Sequence, residues 1–188
     1  ESLAMPRGIV ITGIDKENAD FDGVLAAVQS MWGSKCVPVT LPAGDRKSVA
    51  SVLGGDAPAD IAERVGEIKS NLVDFAAESD DTLLEKFLSG ETLTPDEFAK
   101  GLHGAVHGGT LIPVFAVSSK QAVGLEELLE GISLLFPSPA DRRLMDADGN
   151  EVKIDADAPF CGLVWRSVND PFVGQLSFVR VFGGTLSL

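Results

Sequence analysis

The sequence predicts an α/β chain that passes into antiparallel β-structure near its end, and three observations carry that reading. As far as about residue 137, short β-branched and apolar runs alternate with segments whose apolar residues recur at helical spacing. Pro137-Ser138-Pro139 then interrupts the pattern. Beyond it the period shortens to the two-residue alternation of half-buried strands.

Arg7 to Gly13, rich in Ile and Val, reads as the first strand. Asp20 to Trp32 follows as an amphipathic helix with Phe21, Val24, Leu25, Val28 and Met31 on one stripe. Cys36 to Leu41 reads as the next strand, and Gly44 to Pro58, with its Gly54-Gly55 pair, as a loop. Ile61, Val65, Ile68, Leu72, Phe75 and Ala76 mark a long helix; Leu83, Leu84, Phe87 and Leu88 mark a shorter one. At Thr94-Pro95-Asp96-Glu97 a third helix starts, with Thr as N-cap, Pro in the first turn and a carboxylate three residues on to meet free amides. It runs past Phe98 and Leu102 to a stop at Gly108-Gly109. Leu111 to Val117 is apolar throughout and is expected to be buried on both faces. The loop from Ser118 to Val123 leads into a helix carrying Leu125, Leu128, Leu129, Ile132 and Leu135. Phe160 to Val168 and Gln175 to Phe182 alternate as half-buried strands, with Asn169-Asp170-Pro171 and Gly174 as turn residues between them. Two paired strands rarely stand alone, so the chain is expected to be a piece of a larger protein.

With 188 residues, 45% hydrophobic and 23% charged, the composition is that of a globular protein with a real core. Fifteen Lys and Arg against 28 Asp and Glu leave a net charge of −13, which disfavours a broad grip on nucleic-acid phosphates. Between Gly44 and Lys100 there are 13 acidic and 6 basic side chains. They suit either a solvated helical face or an acidic docking surface for a basic partner. Cys36 and Cys161 lie far apart within apolar runs, as expected of buried reduced thiols without a disulfide partner in a cytoplasmic protein. No apolar run approaches the ~18 residues of a membrane span. Trp32 and Trp165 read as packing residues. His103 and His107 are spaced for a metal, but no Glu follows His103 and no third ligand is evident. They read as a pair at a helix C-terminus, where the dipole suits them. Asp146, Asp148, Asn150 and Asp157 imitate a calcium loop, yet Glu151 stands where the sharp turn needs Gly. A turn before a short strand from Glu151 to Ile154 fits better.

There is no Gly-x-x-x-x-Gly-Lys-Ser/Thr and no Gly-x-Gly-x-x-Gly, so the sequence holds no phosphate cradle of its own. Asp20-Phe21-Asp22-Gly23 and Asp146-Ala147-Asp148-Gly149 match Asp-x-x-Gly without following a strand. Two loops do stand at the ends of strands, where open parallel sheets bind ligands: Thr12-Gly13-Ile14-Asp15 and Val117-Ser118-Ser119-Lys120. A carboxylate at one strand end accepts from N1 and N2 of guanine, while amides of a neighbouring small-residue loop donate to O6; adenine presents the reversed pattern. By itself such an Asp is far more often a helix N-cap or turn residue than a base reader.

Pro6 to Phe21, containing Thr12-Gly13-Ile14-Asp15, resembles the Asn-Lys-x-Asp region of elongation factor G, the translational GTPase of ribosomal translocation. Further stretches follow in order. Val37-Pro38-Val39-Thr40-Leu41-Pro42-Ala43-Gly44 is similar to that family's Val-Pro-x-x-Leu-Pro-x-Gly strand, and Asp80 to Leu88 to its Asp-Glu-x-Leu-x-Glu-Lys-Tyr-Leu helix. Leu111 to Ser119 resembles the strand with its Ser-Ala guanine loop, Phe136-Pro137-Ser138-Pro139 its Leu-Pro-Ser-Pro linker, and Asp170 to Leu186 the hairpin opening its second domain. The resemblance spans essentially the whole chain.

It implies a partial P-loop GTPase-type G domain followed by the first strands of an antiparallel β-barrel. Residues 1–43 would be a G-domain strand, guanine loop and helix; 44–110 an inserted acidic helical subdomain; 111–137 the final G-domain strand and helix; and 138–188 a linker and the start of domain II. The implied ligand is GTP or GDP, with magnesium bound by residues outside this chain. Thr12, Asp15, Ser118 and Ser119 would be nucleotide-binding: Asp15 reads guanine N1 and N2, and Ser118 and Ser119 form the loop whose amide meets O6. The implied partner is the ribosome, with its stalk protein meeting the inserted subdomain. By itself the chain is expected to be catalytically inactive. The family's Asn falls on Thr12 and its Lys on Gly13, which removes the aliphatic stem that packs over the base, and Lys16 is not expected to restore it. The Ser-Ala pair becomes Ser118-Ser119, and little stands between Gly44 and the helix near Ala59, where the family has several strands. These departures predict weakened guanine selectivity and a diverged paralogue. The alternative is a non-enzymatic ribosome- or protein-binding module that has lost guanine-nucleotide specificity.

Overall fold

A computed structural model describes residues 5–44, 47–54, 57–138, 141, 144–146 and 148–187. Gly55, Ala147 and Pro139, read above as turn and linker residues, lie outside the described residues. The elements run β1 (Ile9–Thr12), α1 (Phe21–Trp32), β2 (Cys36–Pro38), β3 (Thr40–Pro42), β4 (Val49–Ser51), α2 (Ala62–Glu78), α3 (Asp81–Leu88), α4 (Pro95–Gly108), β5 (Ile112–Val117), α5 (Leu125–Leu135), β6 (Leu144–Met145), β7 (Glu151–Val152), β8 (Cys161–Asp170) and β9 (Gly174–Gly183). Two units, Glu1–Phe136 and Pro137–Leu188, make up the chain.

In the first unit a parallel sheet has the order β1-β5-β2. Its register pairs Ile9 with Val114 and Thr12 with Val117 on one side, and Cys36 with Ile112 on the other. Every residue of β5 is buried, because this central strand has a neighbour on each edge and helices against it. Helix α5 approaches so closely that a Cβ on Gly131 would lie 2.4 Å from the Phe115 ring. On the other side, Gln29 in α1 donates its side-chain amide to the Cys36 carbonyl at 3.0 Å.

The expected strand from Cys36 to Leu41 is two strands. Val39 still donates to the Val114 carbonyl at 2.9 Å, but at Thr40 the side chain takes over, its buried hydroxyl accepting from the Ala116 amide at 2.7 Å. That bond satisfies β5 where the backbone of β3 leaves the sheet to pair antiparallel with β4, Thr40 opposite Ser51. The stretch read as loop from Gly44 to Pro58 therefore contains a strand, closed by the Ala43 amide on the Ser48 carbonyl at 3.0 Å.

Helices α2, α3 and α4 follow the expected positions. At the start of α4 the Thr94 hydroxyl accepts from the Glu97 amide at 3.3 Å, and the Glu97 carboxylate accepts from the Thr94 amide at 2.8 Å. The helix ends on Gly109 in a left-handed conformation. It crosses α2 at Gly101, where a Cβ would come within 2.5 Å of the Ala76 carbonyl oxygen, so only hydrogen fits. Leu72, Leu102 and Leu111 are fully buried around this contact. Lys86 of α3 lies 2.8 Å from Glu97, and this ammonium, with the Thr94 amide, holds the Glu97 carboxyl down at about 2.

The second unit contains two hairpins. In β6–β7 the Asp146 carboxylate accepts from the Asp148 and Asn150 amides at 2.9 and 2.8 Å, so these residues form the expected turn. In β8–β9, Asp170 faces Gly174 and its carboxylate accepts from the Phe172 and Val173 amides at 2.8 and 3.1 Å. The alternating residues here are not half-buried: both strands are exposed along nearly their whole length. A two-stranded ribbon creates no second layer, and within the described residues of this unit none covers it. Trp165 is 61% exposed and rests against Phe178 with ring centroids 5.5 Å apart; Trp32 is also largely exposed, so neither tryptophan is a core residue. Cys36 is buried, but Cys161 is only half-buried; both are free thiols.

Candidate functional site

The parallel register decides where the two candidate loops meet. Because Thr12 pairs with Val117, both strands end at the same level, and the chain beyond each turns away side by side. The Gly13 amide donates to the Val117 carbonyl at 2.9 Å, tying the first loop to the second strand. Gly13 has φ +78°, a left-handed conformation that disfavours a side chain. The turn closes with the Lys16 amide donating to the Gly13 carbonyl at 3.2 Å, and Asp15 projects from its middle.

The second loop is closed by a pair of reciprocal bonds. Ser118 donates its amide to the Val123 carbonyl at 2.9 Å, and Val123 returns one to Ser118 at 3.0 Å. Within this loop the fully buried Ser118 hydroxyl accepts from the Gln121 amide at 3.2 Å. Gly124 ends the loop at φ +75°, and a Cβ there would lie 2.4 Å from the Ala116 carbonyl oxygen. Glycine is therefore required where β5 hands over to α5.

The two loops join electrostatically at Asp15. Its carboxyl is held below the usual carboxylate range first by the hydrogen bond from the Ser118 hydroxyl and then by weaker attraction to Lys120 and Lys16. The result is a half-buried carboxylate acceptor. Thr12, Asp15, Ser118 and Ser119 line one concavity of about 500 Å³, together with Lys16 and Lys120. All four residues singled out in the sequence are thus brought together. Thr12 and Ser119 are exposed, Ser118 is buried, and the site presents a carboxylate beside a loop of small residues. The carboxylate can accept two donors, while the Ser118 and Gln121 amides are already committed within the loop.

The sequence named Lys16 without placing its side chain. Its side chain folds back over Gly13, where a Cβ would meet the Lys16 Cε at 3.2 Å and Cδ at 3.5 Å. Lys16, not expected to restore the stem missing at Gly13, thus has its side chain beside that position. The available signal was the Gly-x-x-Lys spacing, which a tight turn converts into contact.

The other candidates stay apart from this site. His103 and His107 sit on α4, and no group of three or more His, Cys, Asp or Glu among the described residues is arranged to hold a metal ion. Among the described residues no helix is long and apolar enough to cross a membrane. The acidic helices carry ion pairs between elements, including Arg64 with Asp22 and Lys100 with Asp80 at 3.5 Å.

No protein-family model matches the sequence. An elongation factor G-like protein of Mycobacterium tuberculosis is 34% identical over 203 aligned residues, covering 98% of this chain and 28% of the relative. Elongation factor G of Mycoplasma pneumoniae is 31% identical over 206 residues, covering 97% of this chain and 30% of that protein. The chain is homologous to elongation factor G. The homology extends over nearly its whole length, while the chain spans less than a third of these relatives. A crystal structure of a Thermus thermophilus protein superimposes with a TM-score of 0.78 at 29% identity, covering 97% of this chain and 28% of that one. The mixed α/β fold with its parallel sheet is therefore shared with a solved structure. Where the resemblance to elongation factor G puts Asn and Lys, this chain has the exposed Thr12 and the left-handed Gly13.

Proposed function

We propose that the end of the β1–β5 pair is the base-reading part of a guanine-nucleotide site, in a translation factor of the elongation factor G type that hydrolyses GTP on the ribosome. The observation that carries this reading is the common end of β1 and β5, which sets the Asp15 carboxyl and the Ser118-Ser119 loop on one concavity. Asp15 accepts from N1 and N2 of guanine, and loop amides donate to O6. An adenine offers an amino donor where guanine has O6 and lacks the N2 amino group, so the same groups would be left unpaired, at a cost of about 1–3 kcal/mol each. Thr12 lines the entrance. The phosphates and magnesium fall to residues outside this chain, whose sequence has no phosphate loop.

In this reading residues 1–43 and 111–137 are the base-reading half of a G domain, 44–110 an inserted acidic subdomain facing the ribosomal stalk, and 138–188 a linker with the opening strands of a β-barrel. The protein works in the cytoplasm. A second reading, a ribosome- or protein-binding module without guanine specificity, is favoured by one observation: Gly13 has no side chain to pack on a base.

Titration of the full-length encoded protein with GDP, GTP and ADP separates the two. Guanine nucleotides are expected to bind at least tenfold tighter than ADP, and Asp15→Ala to remove that preference. Equal affinity for GDP and ADP, or a preference untouched by Asp15→Ala, sinks the guanine reading.

A further inference from the structure

The turn after β1 presents a conflict. Its left-handed φ of +78° at residue 13 selects glycine, and glycine leaves the floor of the concavity without a side chain at that position. The space is nevertheless covered. The Gly13–Lys16 turn returns the chain so that the Lys16 Cε, Cδ and Nζ lie 3.2, 3.5 and 3.7 Å from where a Gly13 Cβ would stand. The Lys16 stem thus lies in van der Waals contact with the position where a residue-13 side chain would begin. Lys16 lines three neighbouring concavities at this end of the sheet, including the one that contains Asp15, Ser118 and Ser119. Lysine suits such a position because its methylenes cover apolar surface while the ammonium stays in water.

We propose that the Lys16 stem is the apolar cover against which the base packs, making Lys16 an affinity-determining residue of the nucleotide site. The inference rests on the guanine reading above. It assigns to Lys16 the contact whose loss at Gly13 favours the competing reading, and it makes the methylenes, not the charge, the part that matters.

The test is equilibrium titration of the full-length encoded protein and its variants with a fluorescent GDP derivative, with ADP as competitor. Lys16→Ala is expected to weaken GDP binding about tenfold, the worth of roughly two buried methylenes. Lys16→Met, which keeps an unbranched apolar stem without the ammonium, recovers most of that loss. Wild-type affinity in Lys16→Ala overturns the proposal. So does a Lys16→Met variant as weak as Lys16→Ala, since the charge would then be responsible. A wild-type protein with no preference for GDP over ADP refutes the guanine reading itself, and the proposal with it; the two failures are distinguished because that result appears before any variant is made.

Discussion

Strand β5 and the hairpin β8–β9 draw on similar residues, Val, Phe and other apolar side chains, and they end in opposite environments. All six residues of β5 are buried, whereas Leu163, Trp165 and Phe178 of the hairpin are 56%, 61% and 42% exposed. Both are strands paired to a neighbour, the hairpin with register shifts at Cys161/Gly162 and Val164/Arg166. The difference lies in what covers the faces: α5 presses Gly131 onto Phe115, while within the second unit the ribbon has no covering layer among the described residues. Backbone pairing makes a strand, and a second layer of structure makes a core.

The contrast is broken or sharpened most directly by a pair of truncations. Phe115→Ala is expected to destabilise the first unit by about 3–5 kcal/mol, through lost burial and a cavity against Gly131. Phe178→Ala is expected to change that unit's unfolding by less than about 0.5 kcal/mol. Urea unfolding followed by helical circular dichroism reads both, because α1 to α5 all lie in the first unit. Equal losses would show that the hairpin is part of the same cooperative core.

A smaller effect is expected at the hinge between β5 and α5. Gly124→Ala adds a methyl against the Ala116 carbonyl in a left-handed backbone, and should cost about 1–3 kcal/mol in the same assay. Gly174→Ala at the hairpin turn has the same sign of φ but meets nothing within 4 Å and lies in the second unit, so that assay should register less than about 0.5 kcal/mol. If the two glycines prove equally sensitive, close packing does not distinguish the regions.

The smallest effect concerns pH. The Glu97 carboxyl is lowered from 4.5 to about 2, so its contribution to stability is fully present above pH 4.5 and is lost as the pH falls towards 2. The stability difference between wild type and Glu97→Gln should therefore be widest above pH 4.5 and close on acidification. Because the pair is partly exposed, the difference also shrinks with added salt. A gap that widens at low pH would contradict the assignment.

Much of the first unit was legible in the sequence because its signals are local. The Thr94–Glu97 box, the continuous apolar run of β5 and the stripe of α1 each specify an element within a few residues. β4 escaped notice because three residues, Val49-Ala50-Ser51, are too few to show a period. The break between β2 and β3 was equally hidden, since it depends on the Thr40 hydroxyl replacing a backbone acceptor for Ala116. In the second unit the alternation of β8 and β9 was read as half-burial, but alternation records only which face is apolar, not whether anything lies on it.

The sequence by itself determined the elements and the two loops at strand ends, because caps, turns and apolar periods act over a handful of neighbouring residues. It placed Asp15, Ser118 and Ser119 each after a strand. Only the tertiary structure decided that the strands carrying them are parallel neighbours in register, so that Asp15 and Ser118 line one concavity and the serine hydroxyl holds the Asp15 carboxyl below its usual range. It also decided that the Lys16 side chain lies beside Gly13. Those outcomes depend on pairing residues as distant as Thr12 and Val117, and no local period encodes a contact between segments so far apart.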